Sequence, residues 1–307
     1  MEDVLYLCRF VQFAAVMVIF GGSAFRYYAL AGLPAGAAPS ILAGFDARLG
    51  HLTLATAIVA LLSALALLLC QAAMMAGSLA ASIDPATITA VLFETRFGRV
   101  WCWHLLLAMS LVLACLARPR RRQPIVLVVS LLLLASLGWI GHAAMDEGPA
   151  RLAHEFNQTI HLLSAGLWLG GLVPLGWLLR RARAGQDVAG IALTRDAIGH
   201  FSQMGYVAVA LIALTGAINS LLLVGSLPAM FGTPYGRLLA LKILLFLAMV
   251  VVALINRFRL APRISDDAVA LNALCRTIGV EQTLGLCILA VVSVLGTWPP
   301  AIHSGRP

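Results

Sequence analysis

Three histidines lie in strongly apolar stretches of the chain, each near one end of a predicted membrane helix. They are His104, His142 and His161. Ionisable side chains inside a bilayer are costly and usually face an interior site or a water-filled path. Because these residues come from distant parts of the sequence but share one predicted depth, we expect them to converge on a metal or cofactor site.

Further potential ligands lie at the same predicted level. His154 begins the fifth predicted span, Met145 follows His142 by three positions, and His303 is close to the C-terminus. Imidazole suits copper, zinc, iron and nickel, whereas thioether sulfur selects Cu(I). The set therefore favours a copper ion, which His154, His303 and Met145 would capture or relay. Ligation needs neutral imidazoles, so affinity should fall as the pH drops through about 6.5.

Several enzyme and cofactor motifs are absent from the sequence. None of the six cysteines is in CxxC spacing, and each is expected to be a small buried apolar residue. His154-Glu155 does not begin an HExxH motif, because the next histidine comes seven positions later. There is no P-loop and no GxGxxG. We therefore predict a protein that is not an enzyme.

The composition is that of a polytopic membrane protein. Hydrophobic residues make up 61% of the 307 residues and charged residues 11%, whereas soluble proteins average about 25% charged residues. A bilayer crossing needs roughly 20 apolar residues. The sequence thus predicts an all-α protein with eight spans, near residues 4–30, 50–76, 98–117, 124–143, 154–180, 200–225, 235–258 and 275–297.

The basic residues predict how these spans are oriented. The net charge of +8 comes from short clusters between apolar runs, a pattern of membrane loops rather than of nucleic-acid binding. Most of the 21 Lys and Arg residues belong to the loops after spans one, three, five and seven. By the positive-inside rule both termini then face the periplasm. The stretch 77–97 becomes an outer loop with a short helix, and the acidic start Met1-Glu2-Asp3 predicts a retained first span rather than a cleaved signal peptide.

The two halves of the chain resemble each other. Phe20-Gly21-Gly22 in span one matches Leu169-Gly170-Gly171 in span five, and Phe97-Gly98-Arg99 matches Tyr235-Gly236-Arg237. The repeating unit has four spans, so the copies are parallel and related by an axis along the membrane normal. We predict an N-terminal half of residues 1–150 and a C-terminal half of residues 151–307.

The repeat pairs polar residues of different chemistry. At the offsets of these matches, Gln12 corresponds to His161 and His104 corresponds to Lys242. Lys242 and Asn219 share a predicted depth, and we expect a hydrogen bond between them. Glu281 lies deeper, as the inner stage of a cation path or, as we favour, as the partner of an arginine.

Several spaced motifs resemble the CopD family of bacterial copper-resistance membrane proteins. They are His161-Leu-Leu-Ser-Ala-Gly-Leu-Trp168-Leu-Gly170-Gly171-Leu-Val-Pro174, Phe201-Ser202 with Leu214-Thr215-Gly216 and Asn219, Thr233-Pro234-Tyr235-Gly236-Arg237 with Lys242 and Asn256-Arg257, and Glu281 through Gly296-Thr297-Trp298-Pro299-Pro300. The resemblance covers residues 155–300 strongly and the first half more loosely.

This resemblance implies a multi-pass inner-membrane protein that takes copper from the periplasm and transports or delivers it across the membrane. It also implies a separate periplasmic copper-binding partner, CopC-like. Two other functions stay open: a redox protein that binds haem through the same histidines, and a non-transporting copper sensor or structural partner of another membrane protein.

Overall fold

The structure is a computed structural model that describes residues 2–30, 39–117, 122–141, 148–185, 188–265 and 267–303. Within these ranges it is built of ten α-helices joined by short turns. Their bounds are α1 (Glu2–Tyr28), α2 (Pro39–Ala76), α3 (Pro85–Glu94), α4 (Arg96–Ala117), α5 (Arg122–Ser136), α6 (Gly148–Gly185), α7 (Val188–Leu223), α8 (Leu227–Gly232), α9 (Pro234–Ile255) and α10 (Ala268–Leu295).

Eight of the helices in this described part are long and apolar enough to cross a membrane, which confirms the predicted spans and the all-α class. Helices α2 and α6 each contain 38 residues. At 1.5 Å per residue such a helix is roughly 57 Å long, whereas a bilayer core is about 30 Å thick. Both helices therefore extend beyond the hydrocarbon layer. The orientation of the termini stays a prediction.

Two short helices are fixed by capping residues. The side chain of Asp84 accepts a hydrogen bond from the backbone N–H of Thr87 at the start of α3. The hydrogen bonds from Thr87 lower the pKa of the Asp84 carboxyl. Ser226 caps α8 in the same way, accepting from the N–H of Ala229. Helix α3 is the short helix predicted within residues 77–97.

Helices α1 and α6 form the centre of the bundle, and glycines let their backbones touch. A Cβ atom on Gly21 would lie 2.6 Å from the Cα of Gly170, and one on Gly170 would lie 2.9 Å from the Cα of Gly21. Small residues at such contacts are typical of membrane helices. Gly21 and Gly170 are also matched by the sequence repeat, so residues related by the repeat meet at the centre, as they do beside a two-fold axis.

A second pair of matched residues makes matched local contacts. Thr95 accepts a hydrogen bond from the N–H of Gly98 at 2.9 Å, and Thr233 accepts one from the N–H of Gly236 at 3.0 Å. Both glycines lie against the short preceding helix, Gly98 against α3 and Gly236 against α8. These contacts support the repeat. The division at residues 150 and 151 stays a prediction.

The halves differ in how two of their helices pack. In the first half α2 packs along α4, as α1 packs along α2. Across the residues that the structure covers, the corresponding helices α7 and α9 form no comparable contact. The gap between α7 and α9 leaves cavities beside these two helices. The packed pair α2 and α4 leaves no such gap in the described residues.

Candidate metal centre

His104 is fully buried on α4 and both of its ring nitrogens have partners. Nε2 lies 2.7 Å from the side-chain nitrogen of Gln12 on α1, and Nδ1 lies 2.7 Å from the hydroxyl of Ser136. The ring stacks on Trp101, with 4.5 Å between ring centroids. His104 thus connects α1, α4 and α5.

The hydrogen-bond directions around His104 are mutually consistent. The Ser136 hydroxyl donates to the carbonyl of Leu133, so it accepts from the Nδ1–H of His104. Nε2 then accepts from the amide of Gln12, whose oxygen accepts from the Ser63 hydroxyl. Every side-chain polar atom of this hydrogen-bond network has a partner, as buried polar networks require. A metal ion could bind Nε2 only after the Gln12 amide had moved away.

His161 on α6 has a more open environment. Its Nδ1 lies 2.9 Å from the hydroxyl of Thr215 on α7, and this hydroxyl donates to the carbonyl of Leu211. Nδ1 therefore carries the proton, and Nε2 presents its lone pair. Nε2 lies 3.5 Å from the Nζ atom of Lys242 on α9 and borders a cavity of about 260 Å³.

The two histidines lie in equivalent polar groups of the two halves. Gln12 on α1, with a hydroxyl from α2 and His104 from α4, corresponds to His161 on α6, with a hydroxyl from α7 and Lys242 from α9. The sequence repeat predicted both pairings of positions. The histidine is on a different helix in each half. Only His161 adjoins a cavity between these helices, because α7 and α9 are apart whereas α2 and α4 pack together.

The other predicted ligands lie elsewhere or outside the described residues. His154 is buried on α6, two turns before His161, and borders a separate cavity of about 110 Å³. His142 and Met145 fall within 142–147, outside the described residues. His303 ends a 3₁₀ turn, Ala301–His303, and only its backbone is described.

Over the described ranges, no three residues among His, Cys, Asp and Glu come close enough to hold one ion. His104 and His161 belong to different hydrogen-bond groups, and His142 lies outside these ranges. The convergence of His104, His142 and His161 on a single ion therefore stays a prediction.

Three neighbouring cavities follow one another, two within the second half and one where the two halves meet. This last cavity, beside His154, is lined by first-half residues such as Arg9 and Phe13 and shares Lys242 and Leu239 with the cavity of His161. The middle cavity, which adjoins His161, is also lined by Met249 and shares Trp168 with a third, of about 270 Å³. Glu281 lines the third cavity, together with residues nearer the opposite end of the bundle such as Ile198 and Leu274. The row extends from the end of the bundle at which α6 begins towards the opposite end.

Glu281 has a different partner from the one favoured above. Its carboxylate accepts a hydrogen bond from the side-chain amide of Asn256, at the start of a π-helical turn that ends α9. Among the described ion pairs none contains Glu281, although Arg257 borders the same cavity. π-Helical turns often occur at functional sites.

Lys242 and Asn219 are not hydrogen-bonded to each other. Asn219 accepts from Asn157 and donates to Gln158, both on α6. Lys242 faces His161 instead. Both residues line the same cavity, but a shared predicted depth does not define the rotation of each helix.

Two polar contacts were not anticipated from the sequence. Arg96 on α4 forms an ion pair with the buried Glu155 on α6, so it links the two halves. The thiols of Cys8 on α1 and Cys70 on α2 lie close to each other. No short sequence motif marks either contact, because each joins residues far apart in the chain.

Comparison with known families finds two matches. Residues 1–152 match the model described as copper resistance protein D-like, N-terminal domain, and residues 195–295 match that of copper resistance protein D. No solved structure is significantly similar to the chain.

Similar proteins occur in several bacteria. The inner membrane protein YebZ of Escherichia coli (strain K12) is 32% identical over 95% of this chain and 97% of its own length. Copper resistance protein D of Pseudomonas syringae pv. tomato is 29% identical over 99% of this chain and its full length. The copper transport protein CutJ of Bacillus subtilis (strain 168) is 27% identical over 73% of this chain and 40% of its length.

Proposed function

The chain belongs to the copper resistance protein D family, and from this premise we propose that it takes copper from the periplasm and conducts or delivers it across the bacterial inner membrane. Its role is binding and transfer of the ion rather than catalysis. The names of its relatives, which refer to copper resistance, copper transport and the inner membrane, support the proposal.

The row of three cavities, two of them within the second half, carries the proposal. It begins beside His154, continues past His161 and passes Glu281. Polar and ionisable groups within membrane helices commonly mark ion pathways. The first half has no equivalent gap among its described helices, since α2 and α4 are packed together. Copper would therefore pass through the second half.

The groups along the row suit copper at successive stages. The Nε2 lone pair of His161 is a ligand for copper, and the thioether of Met249 in the same cavity favours Cu(I). The Glu281 carboxylate would receive the cation in the third cavity. Lys242 adjoins His161 and would weaken binding there, which helps the ion to leave.

The three-histidine site remains part of the proposal. His104, His142 and His161 would form it, and His154, His303 and Met145 would supply the ion. For His104 to take part, Gln12 must release its Nε2 atom. A separate CopC-like protein in the periplasm is the proposed donor of copper.

Copper binding and uptake by variants test the proposal. Wild-type protein in sealed proteoliposomes should bind copper and accumulate radioactive copper, whereas His161→Ala and Glu281→Gln should lose most of this uptake. His104→Ala is the informative comparison, since it removes an imidazole outside the cavity row. If His161→Ala loses copper uptake and His104→Ala keeps it, the result supports the row of cavities as the path. If both histidine variants lose copper binding, the result supports the shared three-histidine site.

Uptake that is unchanged in His161→Ala and in Glu281→Gln would contradict the path. The haem alternative is tested on the same preparation by its absorption spectrum, because bound haem gives a Soret band. Copper in the purified protein without such a band supports the proposal.

A further inference from the structure

The cavity at the His154 end of the row contains two cationic side chains, one from α1 and one from α9. It lies where α1 begins and α10 ends and has a volume of about 110 Å³. Its polar lining residues are Arg9, His154, Gln158, Asn219, Tyr235 and Lys242. The described residues that line it include neither Asp nor Glu.

Arg9 has a charge that the described structure leaves uncompensated. Its Nε atom is buried and has no hydrogen-bond partner among the described residues. The guanidinium lies 5.9 Å from the ring centroid of Phe13 and packs against Gly296, which caps α10. The C-terminal end of a helix supplies only about half of a negative charge. The dipole of α10 therefore offsets part of the positive charge of Arg9 and none of the positive charge of Lys242.

Lys242 adds a second cation to the same cavity. The acceptor found for its Nζ atom is the neutral Nε2 of His161, at the long distance of 3.5 Å. Glu155, which follows His154 in the sequence, is engaged by Arg96. Buried charges without a partner are strongly destabilising, so two cations on one cavity require a counter-charge.

We propose that this cavity binds a small inorganic anion of the chloride class between Arg9 and Lys242. The N–H groups of both side chains would donate charge-assisted hydrogen bonds to it. The volume is well below the roughly 300 Å³ at which sites for organic ligands begin. Anion binding differs from copper transfer in the groups that bind, because it depends on Arg9 and Lys242 rather than on the imidazoles, although Lys242 also adjoins the proposed copper path.

Chloride binding to the purified full-length protein tests this inference. Radioactive chloride is titrated in phosphatidylcholine nanodiscs, with gluconate keeping the ionic strength constant, and the melting temperature is followed in parallel. We expect saturable binding and a melting temperature that rises with chloride, as for any ligand that binds only the folded state. Arg9→Gln and Lys242→Gln should each weaken binding about tenfold or more, because each removes a charge-assisted hydrogen bond.

Arg237→Gln is the matched control, since Arg237 is an exposed cation on α9 outside the cavity. It should bind chloride as the wild type does. The double variant Asp146→Asn, Glu147→Gln tests whether a carboxylate of the chain itself occupies the cavity, and we expect no change in it.

Three results would overturn the inference. The first is the absence of saturable chloride binding to wild-type protein that still unfolds cooperatively, and the second is undiminished binding in both cavity variants. The third is chloride binding that arises only in the Asp146, Glu147 double variant. Copper uptake, measured separately, distinguishes this failure from a failure of the proposed function.

Discussion

His104 and Lys242 occupy equivalent positions on α4 and α9, yet His104 is held in a closed hydrogen-bond network whereas Lys242 faces His161 at the edge of a cavity. The network of the first half accompanies the close packing of α2 on α4. The second half retains the same polar positions without the corresponding packing of α7 on α9. The repeat therefore has one half in which these polar positions form a closed network and one in which they border a cavity.

Replacement of Gln12 tests the structural role of the first network. Gln12→Leu should destabilise the protein by about 1–3 kcal/mol, because the buried Nε2 of His104 loses its partner. Adding His104→Leu should recover part of this loss, since both partners are then apolar. The measurement is unfolding in mixed micelles.

Ser110→Ala is the control for this experiment, because the Ser110 hydroxyl lies on the exposed side of α4 and bonds only to the backbone of its own helix. It should change the stability by less than about 0.5 kcal/mol. Equal stability of the wild type and Gln12→Leu would show that the Gln12 contact contributes nothing.

The helices were predictable from the sequence to a greater extent than the site was. Long apolar runs defined the eight spans, and glycine motifs such as Gly21-Gly22 and Gly170-Gly171 revealed the repeat. The repeat offsets even paired Gln12 with His161. The contact between Gln12 and His104 was missed, because an apolar run defines depth but not the rotation of each helix. The gap between α7 and α9 has no sequence signature at all.

Removal of the charge beside His161 should strengthen copper binding. Lys242→Met eliminates an ammonium that lies 3.5 Å from Nε2 and would repel a copper ion bound there. Two charges about 4 Å apart repel by roughly 4 kcal/mol at an effective dielectric constant of 20. We therefore expect at least about tenfold higher affinity, measured by competition with a copper chelator.

The control for this prediction is again Arg237→Gln, which removes an exposed charge of the same helix. It should leave copper affinity unchanged. Weaker copper binding in Lys242→Met would mean that Lys242 positions the imidazole rather than repelling the ion.

The central contact between α1 and α6 should not tolerate an added methyl group. In Gly170→Ala the new Cβ would collide with the backbone of α1, so the helices must separate. Overpacking of this kind costs about 1–3 kcal/mol. Gly279→Ala on α10, where a Cβ meets no atom within 4 Å, should be neutral or stabilising, since alanine favours the helix. Thermal unfolding of the two variants separates these outcomes, and equal melting temperatures would exclude a tight contact at Gly170.

The orientation of the protein can be tested with reporter fusions. If the arginine-rich loop after α4 is cytoplasmic, alkaline phosphatase fused after Arg120 should be inactive, and a fusion after Ser78 should be active. The even number of spans requires a fusion at the C-terminus to be active as well, because it returns the chain to the side on which it began. The hydrogen bond from Trp298 to Tyr6 agrees with this, since it joins the start of α1 to the region beyond α10. The opposite pattern of activities would put His154 and the cationic cavity on the cytoplasmic side, and the proposed direction of copper transfer would then reverse.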